Sequence, residues 1–523
     1  MPKINRALVS VTDKTGVTQF VKELAALGVE IISTGGTAKV LKENGVGVID
    51  ISEYTGFPEM MDGRLKTLHP LVHGGMLAIR DNTEHLEAMK KHGIKPIDML
   101  VVNLYRFEDT IAKGASLDEA IENIDIGGPA MVRAASKNYK YVSVVTDPAQ
   151  YAGIIEEMKQ TGGSVSEKTN FGLARDAFSL TARYDAAISN HLQGIGVEEG
   201  RFPLTYTVQY RRSQIMRYGE NPHQKAAFYS EWALDQPSIS NAEQLWGKEL
   251  SYNNIMDADT ALDLIMEFTD PACVILKHSN PCGAALSKGS LAEAYHKAFA
   301  VDTVSAFGGI VGLNRIVDAD TARAIGEVFT EVVIAPDYSL EALSILEAKK
   351  NVRLLKVPGI SQGAAAKKQL MSSRRVTGGI LLQERDLGEV DLADAKVVTR
   401  RRPTPEEMEA LKFAWKIVKY VKSNAVVYAT KGQILGVGAG QMSRVDSSRL
   451  AVEKALNAGL SLKGSVVASD AFFPFRDGIE EAAGAGATAV VQPGGSVRDQ
   501  EVIDAANEHD MAMIFTGMRH FRH

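Results

Sequence analysis

Hydrophobic positions in the first 150 residues follow two alternating patterns. Short apolar runs predict buried strands at 5–11, 29–33, 47–51, 97–104 and 141–146. Between the first two runs, apolar residues recur at helical spacing from Val17 to Leu24, and Gly28 ends that helix. Strands that alternate with helices are typical of a parallel sheet covered by helices. We therefore predict that the chain begins with an α/β domain.

The pattern changes after one long helix. Apolar residues keep a loose helical period over 166–192, and the glycine-rich stretch 194–200 interrupts it. That break predicts two domains, 1–199 and 200–523. A second α/β pattern starts near Gln209, and its weakly periodic middle predicts a division into two halves near 355–400.

Composition narrows the class of protein. At 523 residues the chain is too long for one hydrophobic core, which predicts two to four domains. A net charge of −6 gives no basic field for nucleic acid or an anionic membrane. No apolar stretch approaches the roughly 18 residues of a membrane span, and no secretory signal begins the chain. Two cysteines, Cys273 and Cys282, are too few for a disulfide framework or a four-ligand zinc site. We expect a cytoplasmic protein.

The stretch 273–283 carries the strongest chemical signal. Its apolar residues 274–276 predict a buried strand, and Asn-Pro-Cys-Gly at 280–283 predicts a departure from regular structure. Lys277 and His278 stand between them, at a strand end where α/β sheets present catalytic groups. Lysine supplies a cation, and histidine exchanges protons near neutral pH. A surface lysine beside a structural histidine is the alternative, and the residues by themselves leave both open.

Small residues at 33–37, Ser-Thr-Gly-Gly-Thr, lie between a predicted strand and a predicted helix. Backbone N–H groups and hydroxyls at such a junction can surround an anion at the helix N-terminus. Lys14 follows the first strand and would bring a cation to the same sheet edge. A plain tight turn is the alternative, but Lys14 and the basic motif described next favour a phosphate.

The basic motif is Gly-Arg-Leu-Lys-Thr-Leu-His-Pro at 63–70. Arg64 suits the paired oxygens of a phosphate, and Lys66 supplies a point charge. A solvated basic loop is the alternative, which the apolar neighbours and the flanking Gly and Pro disfavour.

Four polar residues of the N-terminal domain would form a proton-handling cluster if the sheet brought them together. Tyr105 follows the end of a predicted strand, Asp125 precedes a helix, and that helix carries Lys137. Lys66 is the fourth member. Asp125 is either a helix N-cap, which is the commoner role, or a general base.

The C-terminal region adds candidate ligand contacts. The polar segment 217–224 offers an arginine for a phosphate and a histidine for a hydrogen bond. Asn424 starts another predicted strand. Phe472 belongs to an aromatic group that suits either stacking on a heteroaromatic ring or core packing. The residues from Arg519 form a basic tail or a docked ligand contact.

These segments together resemble one known family. The matching motifs are Ser-Thr-Gly-Gly-Thr (33–37), Gly-Arg-Leu-Lys-Thr-Leu-His-Pro (63–70), Ile-Asp-Ile-Gly-Gly (124–128), Arg-Tyr-Gly-Glu-Asn-Pro-His-Gln (217–224), Leu-Lys-His-Ser-Asn-Pro-Cys-Gly (276–283), Lys-Ser-Asn (422–424), Gly-Ala-Gly-Gln-Met-Ser-Arg (438–444) and Ser-Asp-Ala-Phe-Phe-Pro-Phe-Arg-Asp (469–477). In this order, over essentially the whole chain, they resemble the bifunctional purine biosynthesis proteins. Those proteins join phosphoribosylaminoimidazolecarboxamide formyltransferase to IMP cyclohydrolase.

The resemblance implies a fold and partners. It implies an N-terminal domain similar to methylglyoxal synthase, with a parallel sheet, followed by a formyltransferase region of two α/β halves that resemble the cytidine deaminase fold without its zinc. It implies 10-formyltetrahydrofolate as co-substrate and a homodimer with formyltransferase sites between the subunits. It implies no nucleic acid or membrane partner, and it leaves a bound monovalent cation open.

By matching position, the resemblance also implies residue roles. Lys277 and His278 are implied as the transfer pair, with Asn424 beside them. The residues implied for ring closure are Lys66, Tyr105, Asp125 and Lys137. The implied nucleotide and phosphate contacts of the first domain are Ser10, Thr12, Lys14, Ser33, Gly35, Gly36, Thr37, Arg64 and Thr67. Further implied substrate contacts are Arg217, Tyr218 and His223, and the implied folate contacts are Arg444, Phe472 and Arg519.

Two positions depart from the family pattern. Arg106 follows Tyr105 where Pro is expected, which predicts a looser or more basic loop, and Met216 replaces Leu, a change of shape only. Two alternatives keep formyl transfer but no ring closure: the N-terminal domain is either decayed or a nucleotide sensor that does not catalyse. A zinc deaminase is a third alternative, for which the chain lacks the ligands.

Overall fold

The computed structural model describes residues 3–61, 63–195, 202–232, 234–368 and 370–523. The chain forms two compact units, 1–209 and 210–523. The domain boundary inferred from the sequence falls at 199, among residues 196–201, which lie outside the described ones. The limits 1–199 and 200–523 therefore stay a prediction.

The N-terminal unit is built on one parallel sheet, as the alternating pattern predicts. Its strands are β1 (Arg6–Ser10), β2 (Glu30–Ser33), β3 (Ile49–Asp50), β4 (Met99–Val102) and β5 (Ser143–Val145). Their order is β3-β2-β1-β4-β5, and every pair is parallel. The chain extends the sheet in opposite directions from β1, so the gap between β1 and β4 is the topological switch point at which such sheets bind ligands.

Ten helices of the N-terminal unit belong to the described residues. They are α1 (Val17–Ala26), α2 (Gly35–Glu43), α3 (Ile51–Thr55), α4 (Pro70–Leu77), α5 (Thr83–Lys91), α6 (Phe107–Ala112), α7 (Leu117–Glu122), α8 (Gly127–Lys137), α9 (Tyr151–Thr161) and α10 (Glu167–Gln193). The residues of α1 that repeat at helical spacing are the ones it buries. The tight loop expected at 34–37 is largely helical, because α2 already begins at Gly35. Among the described residues, no helix is long and apolar enough to cross a membrane.

The C-terminal unit is organised around a sheet of twelve strands. The strands of this unit are β6 (Arg211–Met216), β7 (Ala226–Ser230), β8 (Glu243–Trp246), β9 (Ala272–Lys277), β10 (Asn280–Leu286), β11 (Gly309–Leu313), β12 (Thr330–Ala335), β13 (Arg353–Lys356), β14 (Met371–Val376), β15 (Gly379–Glu384), β16 (Lys396–Val397), β17 (Val426–Thr430), β18 (Gln433–Gly438), β19 (Val466–Ser469), β20 (Ala489–Gln492) and β21 (Ala512–Phe515). β6 pairs with β7, and β14 with β15, as separate hairpins.

The large sheet consists of two halves with the same topology. One half runs β10-β9-β11-β12-β13 and the other β18-β17-β19-β20-β21, and each is flanked by an added edge strand, β8 or β16. The halves join where β10 pairs with β18, at Ala285 and Gln433. β10 starts at 280 and β18 at 433, a difference of 153 residues. Corresponding residues of the two halves can therefore be compared at that offset.

The helices of the C-terminal unit follow the same repeat. They are α11 (Tyr252–Ile265), α12 (Leu291–Phe299), α13 (Thr303–Ala306), α14 (Ala319–Gly326), α15 (Leu340–Glu347), α16 (Pro405–Val418), α17 (Arg444–Asn457), α18 (Asp477–Gly484) and α19 (Asp499–Glu508). α11 starts at 252 and α16 at 405, again 153 residues apart. Both helices bury residues in one core cluster, which includes Ala261 and Ala414.

A buried ion pair lies within this unit. Lys367 Nζ is 2.6 Å from Glu267 Oε1, and the two side chains are 3% and 5% exposed. Burial raises the pKa of the Glu267 carboxyl, but the ammonium groups of Lys367 and Lys419 outweigh burial and hold that pKa below its usual value. Tyr420 donates a hydrogen bond to the same carboxylate at 2.5 Å. The fold therefore keeps Glu267 charged in its interior.

Lys367→Met is expected to lower the free energy of unfolding of the C-terminal unit by about 3–5 kcal/mol, because it leaves the Glu267 carboxylate buried without its closest cation. Chemical denaturation monitored by fluorescence measures the change. The neighbouring Lys368 pairs with Asp235 on the surface, where the side chains are 54% and 98% exposed. Lys368→Met is the matched control, with an expected loss below about 1 kcal/mol. Equal losses for the two variants would contradict the role of burial.

Candidate active sites

The carboxyl ends of β1, β2 and β4 meet at one edge of the N-terminal sheet. Ser10 Oγ lies 2.7 Å from Thr34 Oγ1, which links the ends of β1 and β2. The Thr12 N–H donates to Asn103 Oδ1 at 2.6 Å, which links β1 to the residue after β4. The structure thus gathers segments 10–14, 33–37 and 103–105 around the switch point. Asn103 is a linking residue that the sequence analysis did not select, although its place after a strand was a signal.

The start of α2 has the features of an anion site. Thr34 is its N-cap and makes no side-chain capping bond, so the first N–H groups are not capped by that side chain. Two of the predicted contacts have other partners: Ser33 Oγ donates to Val9 O at 2.7 Å, and Thr37 Oγ1 donates to Val11 O at 3.0 Å. The backbone of Gly35 and Gly36, rather than those hydroxyls, is therefore the part of the loop suited to a phosphate. Lys14 is exposed after β1.

Three of the four predicted proton-handling residues lie together. Burial raises the pKa of the Asp125 carboxyl, while the N–H groups of Gly128 and Tyr105 and the charge of Lys66 act in the opposite direction. The pKa of Tyr105 is also raised, first by partial burial and then by the charge of Asp125. Glu59, which the sequence analysis missed, lies 3.9 Å from Lys66 Nζ. The charge of Asp125 thus acts on the pKa of Tyr105, and the charge of Lys66 acts on the pKa of Asp125.

Two glycines allow this cluster to be compact. A Cβ added to Gly128 would lie 2.4 Å from Asp125 Oδ2, and one added to Gly127 would lie 2.8 Å from Thr67 Oγ1. The Gly128 N–H donates to Asp125 Oδ1 at 2.8 Å, so Asp125 also bonds the first turn of α8. The position of Asp125 is thus compatible with both roles considered for it, a helix cap and a general base.

Lys137, the fourth predicted residue, lies on α8. It lies in the last turn of α8, whose first turn contacts Asp125. Gly127 and Lys137 are ten positions apart, which corresponds to about 15 Å along the helix axis. Arg64 precedes Lys66 by two residues, and its guanidinium forms an ion pair with Glu122. Arg106, at the position where Pro was expected, pairs with Asp13 Oδ2 at 3.0 Å.

In the C-terminal unit, Lys277 ends β9 and His278 begins a two-residue turn. The departure from regular structure expected at 280–283 is an irregularity within a strand, because these residues belong to β10, with a register shift between Pro281 and Gly283. Such an irregularity accommodates a proline within a strand. A Cβ on Gly283 would lie 2.1 Å from Ala298 O, so this glycine lets α12 approach rather than forming a turn.

Lys277 is held by backbone carbonyls. Its Nζ donates to Phe307 O at 3.1 Å and to Gly308 O at 2.9 Å. An ammonium group has three N–H donors, so one remains. Lys277 and His278 open onto a cleft of about 270 Å³, which is also lined by Asp302, Ser305 and Lys454.

Asn424 is connected to this turn through another residue. Asn280 Oδ1 accepts a hydrogen bond from the Lys422 N–H at 2.9 Å, which joins the turn to the segment 422–424. The Asn424 side-chain amide donates to the carbonyls of Gln441 and Met442 at 3.0 and 3.2 Å. The three predicted transfer residues therefore lie on adjoining segments of one unit.

The predicted folate and ribonucleotide contacts are dispersed. Arg444 is buried, and its Nη2 lies 2.7 Å from Asp470 Oδ1 while its Nη1 donates to Phe472 O at 3.1 Å. Arg519 stacks on Phe521, and the tail is docked because the Ser423 N–H donates to Arg522 O at 2.8 Å.

The segment 217–224 forms the connection between β6 and β7. Within it, Arg217 stacks on Tyr218 at 4.6 Å and donates to its hydroxyl, and His223 is exposed. The contacts of the described residues do not join this segment to the Lys277 cleft.

Comparisons with known proteins match both units. A family model described as "AICARFT/IMPCHase bienzyme" matches residues 135–454, and one described as "MGS-like domain" matches residues 16–130. The "Bifunctional purine biosynthesis protein PurH" of Magnetococcus marinus is 58% identical over 534 aligned positions, which cover 100% of each chain. The chain belongs to the AICARFT/IMPCHase bienzyme family. Membership confirms the family resemblance and the order of the two kinds of domain.

A solved structure described as "Crystal structure of ForH" is also similar to part of this family member. It is 32% identical and covers 35% of this chain and 97% of the other, with a TM-score of 0.32. That TM-score is too low to support an argument about the fold.

Proposed function

We propose that this bifunctional enzyme divides its two reactions between the two sites described above. The enzyme transfers a formyl group to the amine of 5-aminoimidazole-4-carboxamide ribonucleotide and then closes the ring to IMP with loss of water. The observation that carries the division is chemical: Lys277 and His278 share a cleft in one unit, whereas Lys66, Tyr105 and Asp125 form a proton-handling cluster in the other. Family membership favours these two activities over an N-terminal nucleotide sensor.

Formyl transfer is assigned to the Lys277 cleft. The ribonucleotide amine attacks the formyl carbon of the folate-type donor, for which we propose 10-formyltetrahydrofolate. His278 takes the proton that the amine loses, and the departing folate nitrogen gains a proton. The remaining N–H of Lys277 donates to the oxygen that becomes negative in the transition state, because the two carbonyls hold the ammonium group in place. Asn424 supports the same site from segment 422–424.

Substrate contacts of the transfer site are assigned from their side-chain chemistry. Arg217, Tyr218 and His223 would bind the ribonucleotide. Arg444, Phe472 and Arg519 would bind the folate or the anionic groups of the substrates. In support, the buried Arg444 Nε has no hydrogen-bond partner among the described residues, so a ligand would satisfy it.

Ring closure is assigned to the Asp125 cluster. The carboxamide nitrogen attacks the formyl carbon and loses a proton to Asp125, while the formyl oxygen gains a proton and becomes a hydroxyl. After a second protonation that hydroxyl leaves as water, and the formamido nitrogen loses its proton as the C=N bond of the ring forms. The Tyr105 hydroxyl is protonated near neutral pH, since its pKa is raised above the ordinary tyrosine value, so it holds a proton that it can supply. Lys66 stabilises the negative oxygen, and the start of α2 with Lys14 binds the phosphate. Lys137, in the last turn of α8, is the fourth residue that we propose for this reaction.

The direct test supplies the intact chain with the formylated ribonucleotide and no folate. A rise in purine absorbance supports ring closure by the N-terminal unit. Tight binding without any rise would favour the sensor alternative and overturn this half of the proposal.

The rate of ring closure is expected to fall on acidification over a pH range above that of an ordinary aspartate. Burial raises the pKa of Asp125, and the group acts as a base only after losing its proton, so activity rises with pH through that raised pKa. The pH profile of kcat/KM for the formylated ribonucleotide measures it. Constant activity down to the ordinary aspartate range would contradict the assignment of Asp125 as base.

We also propose a homodimer whose formyltransferase sites are shared. Two hairpins carry large exposed apolar side chains: Ile215 is 66% exposed on β6 and Leu381 is 61% exposed on β15. Isolated two-stranded hairpins are marginally stable, so a covering surface is expected. The segment 217–224 continues from β6, which supports its use in the partner's site.

Coexpression of Arg217→Ala and His278→Ala chains is expected to restore formyl transfer that each homodimer lacks. In a shared site, one of the two sites of the mixed dimer receives both intact residues. Formyl transfer is measured on the purified mixed dimer, with each homodimer as control. Failure to restore activity, with mixed dimers present, would place both residues of a site in one subunit.

The remaining assignments follow from composition and family chemistry. We propose a cytoplasmic enzyme that needs no zinc and binds neither nucleic acid nor membranes, and whose use of a monovalent cation is open to assay. Among the described residues, no group of three or more His, Cys, Asp or Glu side chains is placed to hold a metal ion.

A further inference from the structure

The turn that carries His278 has an unfavourable backbone conformation. His278 and Ser279, its two central residues, have φ values of 53° and 57°. Two-residue hairpin turns with positive φ at both positions strongly favour Asn-Gly or similar pairs, because in the left-handed region the Cβ atom comes too close to the following carbonyl oxygen. Here neither residue is glycine or asparagine. Something outside the turn must therefore stabilise it.

Asp257 on α11 supplies that stabilisation. Its Oδ1 accepts the backbone N–H of Ser279 at 2.7 Å and the Ser279 hydroxyl at 2.9 Å. Asn280 adds a second connection, because its Nδ2 donates to His278 O at 3.2 Å. Asp257 holds the turn from the helix side, and Asn280 joins it to segment 422–424.

The second half of the sheet provides an internal comparison. At the offset of 153 residues, Ser279 corresponds to Gly432, which has a φ of 74° and belongs to the turn between β17 and β18. Asp257 corresponds to Ala410, a buried residue of α16. The half with a glycine in the turn has an alanine on its helix, and the half without glycine has an aspartate. The aspartate on the helix and the turn without glycine thus occur together, in the half that carries Lys277 and His278.

We propose that Asp257 is a positioning residue for formyl transfer, which fixes the left-handed turn so that the His278 imidazole points to the reacting amine. Asp257 itself is not among the residues that line the Lys277 cleft. The proposal rests on the assignment of His278 to formyl transfer. A carboxylate that accepts two hydrogen bonds from one residue defines that residue's backbone, and His278 precedes it directly.

The test compares Asp257→Ala with the double variant Asp257→Ala/Ser279→Gly in the full-length enzyme. Asp257→Ala is expected to lower kcat for formyl transfer by about 10²-fold, the typical cost of misplacing a reacting group by about 1 Å. KM is expected to change by less than about threefold, because the substrate contacts remain. Glycine adopts positive φ without side-chain strain, so the double variant is expected to regain at least about tenfold in kcat. Ring closure by the same preparation is the internal control.

A second pair of variants tests the turn without changing Asp257. Ser279→Val is expected to lose formyl transfer, because β-branched residues are genuine outliers at positive φ. Ser279→Asn is expected to retain most of it, because asparagine tolerates that region. Equal activity of these two variants, or no recovery in the double variant, would overturn the proposal even if Asp257→Ala proved unstable. Failure of His278→Ala to affect formyl transfer would instead overturn the proposed function on which it rests.

Discussion

His278→Ala is expected to lower kcat for formyl transfer by about 10³-fold, within the range of about 10²–10⁴ typical of a positioned general base. The ribonucleotide amine is a weak nucleophile, because its lone pair is delocalised into the imidazole and carboxamide. Without a base beside it, the proton that the amine loses would have to pass to water. Lys277 retains its two carbonyl partners in this variant, so the remaining activity measures the electrostatic contribution of the ammonium group.

The measurement follows formation of tetrahydrofolate in the full-length variant. Ring closure of added formylated ribonucleotide is expected to keep its rate, because Asp125 and Lys66 belong to the other unit. His296→Ala is the matched control, since His296 is exposed on α12 and does not line the cleft. An equal loss of both activities in His278→Ala would contradict the two-site proposal.

Asp125→Asn is expected to produce the opposite pattern, with a loss of about 10³-fold in ring closure. The amide oxygen can still accept the Gly128 N–H, so the first turn of α8 keeps its bond. The amide cannot take the proton of the attacking nitrogen, which isolates the chemical role of the carboxylate from its structural role. Formyl transfer is expected to continue and to accumulate the formylated ribonucleotide.

Accumulation of that intermediate is measured by chromatography of the reaction mixture. Asp176→Asn on α10 serves as control, because this surface aspartate pairs with Arg175 away from the cluster. If Asp125→Asn produced IMP at the normal rate, the cluster would have no catalytic base at this position. Another residue at the edge of the sheet would then have to accept the proton from the carboxamide nitrogen.

Individual strands and helices could be predicted from the spacing of apolar residues. The buried run 274–276 became β9, and the helical repeat from Val17 to Leu24 became α1. The irregularity at 280–283 proved to lie within a strand, because glycine and proline signal irregular backbone without distinguishing its causes. Gly283 is required by the closeness of α12, which is a tertiary contact. The resemblance implied two halves of similar fold, but the offset of 153 residues that relates them came only from the structure.

The sequence by itself determined the order of strands and helices, the family, and the residue types available for chemistry. Only the tertiary structure decided which of those residues meet. It placed Lys66 and Asp125 together but left Lys137 at the far end of α8, and it brought Asp257 to a turn more than twenty positions away. The physical reason is that local spacing fixes which face of an element a side chain occupies. The distance between two elements is set by strand order, close glycine contacts and the hydrogen bonds that join distant segments.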